Sequence, residues 1–204
     1  TEKAGTLGKK MHLGRSRNDL IATTLRLYVA DTVSALDAGL RELVLALCER
    51  AESDADVIVP GLTHIQHGQP IRQGHAWAAH GWAFQRDRER LAGAGKQALS
   101  TMPLGSAALG GTTLPLELDV LARELGFASP VLNSYDSVGD RDFILEALNA
   151  FALSAVHLSR LAEDCVLWSA TSVGLVKLPT AWSTGSSIMP NKRNPDVPEL
   201  TRGK

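Results

Sequence analysis

Residues that could do chemistry are concentrated in four polar segments of the 204-residue chain, each next to stretches of apolar periodicity. The segments are rich in Gly, Ser, Thr and Asn, which is the composition of loops. Loops at the ends of rigid elements are where catalytic and binding residues are usually found. The four segments are GRSRND at 14–19, GLTHIQHGQP at 61–70, PLGSAALGGTTLP at 103–115 and STGSSIMPNKRNPD at 183–196.

The segment 183–196 has the composition of an anion-binding loop. The small residues at 183–187 precede Lys192 and Asn194. Backbone N–H groups of a flexible Gly/Ser loop, with a Lys and an Asn nearby, suit a carboxylate or an enolate-like oxyanion. The patterns of the Walker phosphate loop and of the nucleophile elbow are both absent. A polar surface loop with a chance lysine has the same composition and stays open as the alternative.

A histidine in the second segment, His64, could act as a general acid or base near neutral pH. His67, His75 and His80 follow it and invite a metal interpretation. No carboxylate or cysteine cluster supports that interpretation, so a zinc site is not favoured. We interpret His75, His80 and His157 as histidines on a helix surface or bonded within the core.

The cluster at 15–19 begins a predicted helix, where an Arg beside the helix N-terminus can hold a carboxylate. Ordinary capping by Ser16 or Asn18, worth about 1 kcal/mol, is the alternative without function. For the polar stretch 133–142, capping before a long helix is likewise the alternative without function. The Asp-Arg-Asp run at 140–142 could form a local ion-pair network there.

Long helices must position these segments, because proline is absent from 1–59, 71–102 and 131–178. Apolar residues repeat at alternating spacings of three and four over 29–47 and 144–165, as in helix bundles. A 36-residue helix is about 54 Å long, so packing against further copies is expected. Only Val57–Val59 hints at a strand. The predicted helices span 18–52, 73–99, 116–126 and 137–172, and a last one begins near Asp196.

Composition narrows the class of protein. Hydrophobic residues make up 44% and charged residues 21%, with a net charge of -1. These values are typical of a globular chain and argue against a nucleic-acid or membrane-surface partner. No apolar run reaches the ~20 residues of a membrane span, and no secretory segment is visible. Cys48 and Cys165 lie in apolar stretches, which predicts reduced core thiols in a cytoplasmic protein.

Taken together, the segments resemble the fumarase/aspartase superfamily. Its G-S-S-x-M-P-x-K-x-N signature is matched by residues 185–194. GRSRND at 14–19, THIQHGQP at 63–70 and NSYDSVGDRDF at 133–143 are similar to the corresponding blocks of the argininosuccinate lyase family within it. The resemblance covers essentially the whole chain, in the order that the family uses.

The resemblance implies an all-α fold, the central long-helix domain of the fumarase/aspartase fold. It implies a homotetramer with a multi-helix core, in which loops of three subunits assemble each active site. Family chains are about twice as long, so this chain is expected to be a central piece. On that basis residues 1–15 are the tail of an N-terminal region, 16–195 the central helical domain with its catalytic loops, and 196–204 the start of the next helix.

The reaction that the resemblance implies is the reversible elimination of fumarate from argininosuccinate, which gives arginine without a metal or an organic cofactor. Residue by residue, the catalytic serine falls on Ser186 and the catalytic histidine on His64, and the glutamate that orients the histidine falls on Glu199. The substrate-binding positions fall on Arg17, Asn18, Thr63, Lys192 and Asn194.

The chemistry explains why these residue types are needed. Removing a proton beside a carboxylate builds negative charge, which Lys192, Asn194 and loop amides can stabilise. The departing guanidinium nitrogen needs an acid on the opposite face. We assign Ser186 as the base and His64 as the acid. Because the elimination runs in both directions, the reverse assignment stays open.

The sequence departs from the family pattern at two places, and other interpretations compete. Leu20 replaces the usual Gln, and His67 with Gly68 replaces the usual Arg-Ala. Another fumarate-releasing lyase such as adenylosuccinate lyase, or a cycloisomerase, is the alternative within the superfamily. The alternative without enzymatic activity is a structural protein related to the lens delta-crystallins. The catalytic residue types are all present at their positions, which argues against it. Family residues beyond this stretch also bind substrate, which leaves open whether the stretch alone is active.

Overall fold

The computed structural model of the chain describes residues 3–8 and 10–203. Residues 1, 2 and 9 of the predicted N-terminal tail, and residue 204 of the predicted last helix, lie outside the described residues. Helices predominate, which confirms the all-α prediction. The elements are α1 (Gly5–Gly8), α2 (Arg17–Ser53), β1 (Ile58–Thr63), β2 (Gln66–Arg72), α3 (Gln73–Ala98), α4 (Leu118–Glu124), α5 (Ser134–Gly139), α6 (Asp142–Ser169), a 3-10 helix (Thr180–Trp182), β3 (Thr184–Gly185), β4 (Arg193–Asn194) and α7 (Asp196–Gly203).

The prediction of one helix over 137–172 is wrong at its start, where the chain forms α5 and α6. The Asn133 side chain accepts two backbone N–H groups of the first turn of α5, each at 3.0 Å. Asp140 then takes a non-helical backbone conformation, and its Oδ1 accepts the backbone N–H of Asp142 at 2.8 Å. Asp140 therefore follows the end of one helix and caps the beginning of the next.

The expectation that strands are nearly absent is wrong at 58–72, where β1 and β2 form an antiparallel hairpin. Pro60 lies opposite Pro70, and the register shifts beside Gly61, where a Cβ would lie 2.9 Å from the backbone oxygen of Gln69. Two prolines and a bulge hide the alternation that normally predicts a strand.

The chain divides into two compact units. Among the described residues, unit 1 contains those of 1–38 and 89–150, and unit 2 contains those of 39–88 and 151–203. One hydrophobic cluster of unit 1 lies where α4 covers the segment after α3. Its buried members are Met102, Leu104, Ala122 and Phe127.

A buried guanidinium organises unit 1. Arg26 donates to the backbone oxygens of Gln97 and Ala98 at 3.2 and 3.1 Å, forms an ion pair with Asp140, and lies 4.4 Å from the ring centre of Phe143. Burial lowers the pKa of Arg26 from its usual range, and the neighbouring Asp140 carboxylate opposes that shift. The arginine thus connects α2, the end of α3 and the start of α6.

The local ion-pair network suggested for 140–142 is therefore not formed. Asp140 pairs with Arg26 on another helix. Arg141 instead donates to the backbone oxygens of Val138 and Asp140, at 3.2 and 2.6 Å. Asp140 therefore forms a long-range ion pair instead of a local one. The residues next to Asp140 in sequence do not indicate that partner.

Unit 2 is built on the antiparallel pair of α3 and the second half of α6. Trp77 and Trp168 meet edge to face with ring centres 4.8 Å apart. Further along, a histidine of each helix pairs with a carboxylate of the other helix. The pairs are His80 with Asp164 at 2.8 Å and His157 with Asp87 at 2.7 Å. His80 and His157 are thus bonded within the core, as interpreted from the sequence.

The apolar seam predicted on α2 is confirmed at Val29, Val33, Leu40 and Leu47, which are buried. The seam predicted on α6 is displaced by one position in the first half of the helix, where Phe143, Ala147, Ala150 and Ser154 are buried and Leu148 of the predicted seam is 54% exposed. In the second half, Ala162 of the predicted seam is buried.

The cysteines differ from the expectation of core thiols. Cys48 is exposed and Cys165 is half-buried, and both are free. Burial, together with the charge of Asp164, raises the pKa of the Cys165 thiol. Within residues 3–8 and 10–203, no helix has the length and apolarity that crossing a membrane requires.

Replacing Asp140 by Asn tests the buried ion pair of unit 1. It leaves the Arg26 guanidinium without a charged partner, so we expect the free energy of unfolding to fall by about 3 kcal/mol. Urea unfolding followed by circular dichroism measures the change. The control Glu42→Gln alters an exposed ion pair with Arg41 and should cost less than about 0.5 kcal/mol. An Asp140→Asn protein as stable as the wild type would contradict this role.

Candidate active site

The eight candidate residues are divided between the two units. Arg17 and Asn18 belong to unit 1, and the other six belong to unit 2. Most of the eight side chains are exposed, and Ser186 and Asn194 are half-buried. The residues of unit 2 are Thr63, His64, Ser186, Lys192, Asn194 and Glu199.

Arg17 and Asn18 form the first turn of α2, directly after Ser16. The Ser16 hydroxyl accepts the backbone N–H of Asn18 at 3.2 Å, and the Asp19 carboxylate accepts the backbone N–H of Ser16 at 2.9 Å. This reciprocal arrangement is a capping box, and the Ser-x-x-Asp spacing is its sequence signal. The helix cap uses Ser16 and Asp19, so the Arg17 side chain takes no part in it and stays exposed.

His64 lies at the tip of the first hairpin. Thr63 pairs with Gln66, so His64 and Ile65 form a two-residue turn, and their φ angles are +54° and +60°. Two consecutive left-handed residues define the type I′ turn, which normally selects Asn and Gly. The turn holds the exposed imidazole at the end of the two-stranded ribbon. It also places a β-branched residue in a strained conformation.

The segment 183–196 forms a second, shorter hairpin, because Thr184 pairs with Asn194 and Gly185 with Arg193. The catalytic candidate Ser186 begins its tip. The Ser186 Oγ accepts two backbone N–H groups of the tip, from Ile188 at 3.3 Å and from Met189 at 3.1 Å. Among the described residues, the hydroxyl has no acceptor for its own proton.

Two N–H donors aimed at one hydroxyl oxygen have a chemical consequence. They stabilise negative charge on Ser186 Oγ as its proton leaves, as the donors of an oxyanion hole do. Serine is otherwise a poor base, so a fixed pair of donors is what a proton-abstracting serine requires.

Lys192 and Asn194 follow the tip of the second hairpin. The Lys192 ammonium is exposed and has no ion-pair partner in the described part of the chain. Asn194 lines a cavity of about 310 Å³, together with Lys177, Ser183 and Arg193. No acidic residue lines this cavity, so it is suited to anions.

The structure brings Ser186, Lys192 and Asn194 onto one hairpin, but it does not join Glu199 to His64. Glu199 lies in the first turn of α7 and is exposed. Neither side chain makes a hydrogen bond or an ion pair within residues 3–8 and 10–203. The orienting role given to Glu199 thus remains a prediction.

A metal site has no support from the described residues, among which no group of three or more His, Cys, Asp and Glu side chains could hold an ion. The histidines that suggested such a site have other positions. His67 and His75 are exposed, and His80 is paired with Asp164.

Comparison with known proteins supplies the family. The model of a family described as lyases matches residues 2–204. An argininosuccinate lyase from Halorhodospira halophila is 49% identical over 204 residues, which are 100% of this chain and 44% of that protein. The chain therefore spans less than half the length of this relative.

Two solved structures have the same fold. A crystal structure of an EDDS lyase in complex with formate has a TM-score of 0.93 and 32% identity, over 99% of this chain and 40% of that one. A class II fumarase from Schistosoma mansoni has a TM-score of 0.82 and 25% identity, over 94% of this chain and 45% of that one. The predicted fumarase/aspartase architecture is confirmed by these similarities.

Replacing Ile65 by Asn should relieve strain in the turn that carries His64. Asn tolerates the left-handed conformation, and the exposed Ile65 side chain loses little burial, so we expect a stabilisation of about 1 kcal/mol. The control Ile58→Asn changes another exposed isoleucine of the same hairpin, in β1, and should not stabilise. Urea unfolding compares the two variants, and equal effects would contradict the strained turn.

Proposed function

The chain belongs to the lyase family whose model it matches, and on that premise we propose that the protein containing it is an argininosuccinate lyase. The proposed reaction is the elimination of fumarate from argininosuccinate, which gives arginine and can run in reverse. It places the protein in arginine biosynthesis, and we propose the cytoplasm, where its free cysteines stay reduced.

The observation that carries this proposal is the second hairpin, which holds Ser186 Oγ against two backbone donors with Lys192 and Asn194 on the following strand and turn. An elimination beside a carboxylate needs a base of this kind and a cationic group for the charge that develops. One short segment supplies both needs.

In the proposed mechanism, Ser186 first loses its own proton to water, and the two backbone N–H donors of the tip stabilise its alkoxide. The alkoxide then takes the proton from the carbon beside a substrate carboxylate and becomes a neutral hydroxyl again. Negative charge builds on that carboxylate, and Lys192 and Asn194 stabilise it. His64 then protonates the guanidinium nitrogen as the carbon–nitrogen bond breaks, so that fumarate and arginine leave. Glu199 orients His64, and Arg17, Asn18 and Thr63 bind the substrate.

We also propose a homotetramer with shared active sites. Proton transfer works best where water is excluded, yet His64, Lys192 and Glu199 are exposed and have no side-chain partners within the described chain. Further copies could cover them. Large apolar side chains on the long helices are uncovered as well, as expected of a surface that meets other copies. They include Trp82 at 67%, Leu145 at 64% and Val156 at 55% exposed.

Fumarate release by the intact protein tests the reaction and the role of Ser186. The wild type should produce fumarate, read by absorbance near 240 nm, from argininosuccinate and not from adenylosuccinate. Ser186→Ala should lower kcat by about a thousandfold or more, because it removes the base. The N–H groups of Ile188 and Met189 that it frees lie at an exposed tip, where water can bond them. The matched control Ser187→Ala, at the next exposed position, should keep near-normal kcat. Normal turnover by Ser186→Ala would reduce Ser186 to a binding role.

Mixing inactive variants tests the shared site. If one subunit supplies Ser186 and another supplies His64, mixed tetramers of Ser186→Ala and His64→Ala subunits contain intact sites. Random mixing should restore about a quarter of the sites, because each contributing subunit is drawn independently.

The structure provides a matched negative control for the mixing experiment. Ser186 and Lys192 lie on the same hairpin, so one subunit supplies both. Ser186→Ala mixed with Lys192→Ala should therefore restore nothing. Recovery in neither mixture, with mixed tetramers confirmed by mass spectrometry, would contradict the shared site.

A further inference from the structure

The carboxylate of Asp19 joins two separate segments of unit 1. Its side chain is fully buried. Oδ1 accepts the backbone N–H of Ser16 at 2.9 Å, and Oδ2 accepts the backbone N–H groups of Gly105 at 3.2 Å and Ala107 at 2.9 Å. One side chain thus satisfies the cap of α2 and two donors of a loop 86 residues away in sequence.

The loop that Asp19 holds has an unusual backbone. Gly105 and Ala107 have φ angles of +107° and +50°, and a Cβ at Gly105 would lie 2.6 Å from Leu118. A second contact to this loop comes from Asn18, which precedes Asp19 in sequence. The Asn18 amide Nδ2 donates to the backbone oxygen of Ala108 at 3.0 Å. The loop is held in a sparsely populated conformation by contacts from the first turn of α2.

A carboxylate is the side chain that this junction requires. Within the described residues, Asp19 has no cationic partner, and its charge is balanced by three backbone N–H groups and the N-terminus of α2. Asparagine has the same shape but only one acceptor oxygen. It would turn a donor toward one of the two segments, so only one segment could stay bonded.

We propose that Asp19 is a positioning residue of the reaction, which fixes Arg17 and Asn18 relative to the 105–108 loop as one rigid substrate-binding edge. The proposal rests on the proposed function, because Arg17 and Asn18 bind substrate only in that assignment. Asp19 itself is buried and acts through its exposed neighbours.

Steady-state kinetics distinguish positioning from a merely structural role. If Asp19→Asn loosens groups that bind the ground state and the transition state alike, KM should rise about tenfold while kcat changes less than about threefold. Loss of folded protein would instead lower the apparent kcat and leave KM unchanged. The matched control Asp140→Asn makes the same chemical change at another carboxylate of unit 1 that holds an ion pair, and it should leave KM unchanged.

Amide hydrogen exchange on the intact protein gives a readout independent of turnover. Asp19→Asn should increase exchange at 105–108 more than at α4, whereas Asp140→Asn should not single out this loop. Ser186→Ala protein, which binds without turning over, should show slower exchange at 105–108 when saturated with argininosuccinate. That measurement leaves Asp19 intact, so it tests whether 105–108 belongs to the substrate-binding edge even where Asp19→Asn does not fold.

The outcomes separate the two proposals. A wild-type protein that releases no fumarate from argininosuccinate overturns the proposed function and the catalytic part of this inference, while the exchange data still decide whether Asp19 holds the loop. An active wild type with unchanged KM in Asp19→Asn overturns positioning alone. Absent protection of 105–108 by argininosuccinate also overturns it. A raised KM together with faster loop exchange supports it.

Discussion

The buried guanidinium of Arg26 is the interaction on which the arrangement of unit 1 depends. It bonds to the last carbonyl groups of α3, pairs with the residue that caps α6, and projects from α2, so three long helices meet at one side chain. A charged group in this position is stable only while each partner stays in place. Asp19 lies two turns earlier on α2. Arg26 thus lies on the same helix as Asp19, Arg17 and Asn18. The contacts of Asp19 and Asn18 to the 105–108 loop involve neither Arg26 nor Asp140.

Unit 2 is held together by different contacts. The two His–Asp pairs form a polar layer between α3 and α6, and polar contacts of this kind allow one register where apolar contacts allow several. The catalytic candidates themselves depend on backbone geometry: a type I′ turn holds His64, and two amide donors hold Ser186. The short turns thus fix the backbone positions from which the exposed candidate side chains project.

Features that depend on neighbours in sequence could be predicted, and features that depend on distant partners could not. The ends of α2 and α3 follow from proline spacing, and the start of α7 follows from its loop. The motif that contains Ser186 is local, and so it could be recognised from its residues. The hairpin at 58–72 gives only a weak sequence signal, because prolines and a bulge replace strand alternation. The buried stripe on the first half of α6 gives a weak signal as well, because after Phe143 it consists of small residues. The partner of Arg26 lies 114 residues away, and no local pattern indicates it.

The tryptophan pair of unit 2 relates the two catalytic segments to one another. Trp77 lies near the beginning of α3, directly after the hairpin that carries His64, and Trp168 lies at the end of α6, before the segment that carries Ser186. Because these rings meet, the antiparallel helices deliver both segments at the same end of the pair. The indole of Trp77 also donates to Asp54 at 2.9 Å, which fixes that end to the residues after α2. In the proposed tetramer, copies that associate through their long helices would need to bring only these ends together to complete a site. The helices of unit 2 set where the two segments begin, and the turns set how each candidate catalytic group is presented.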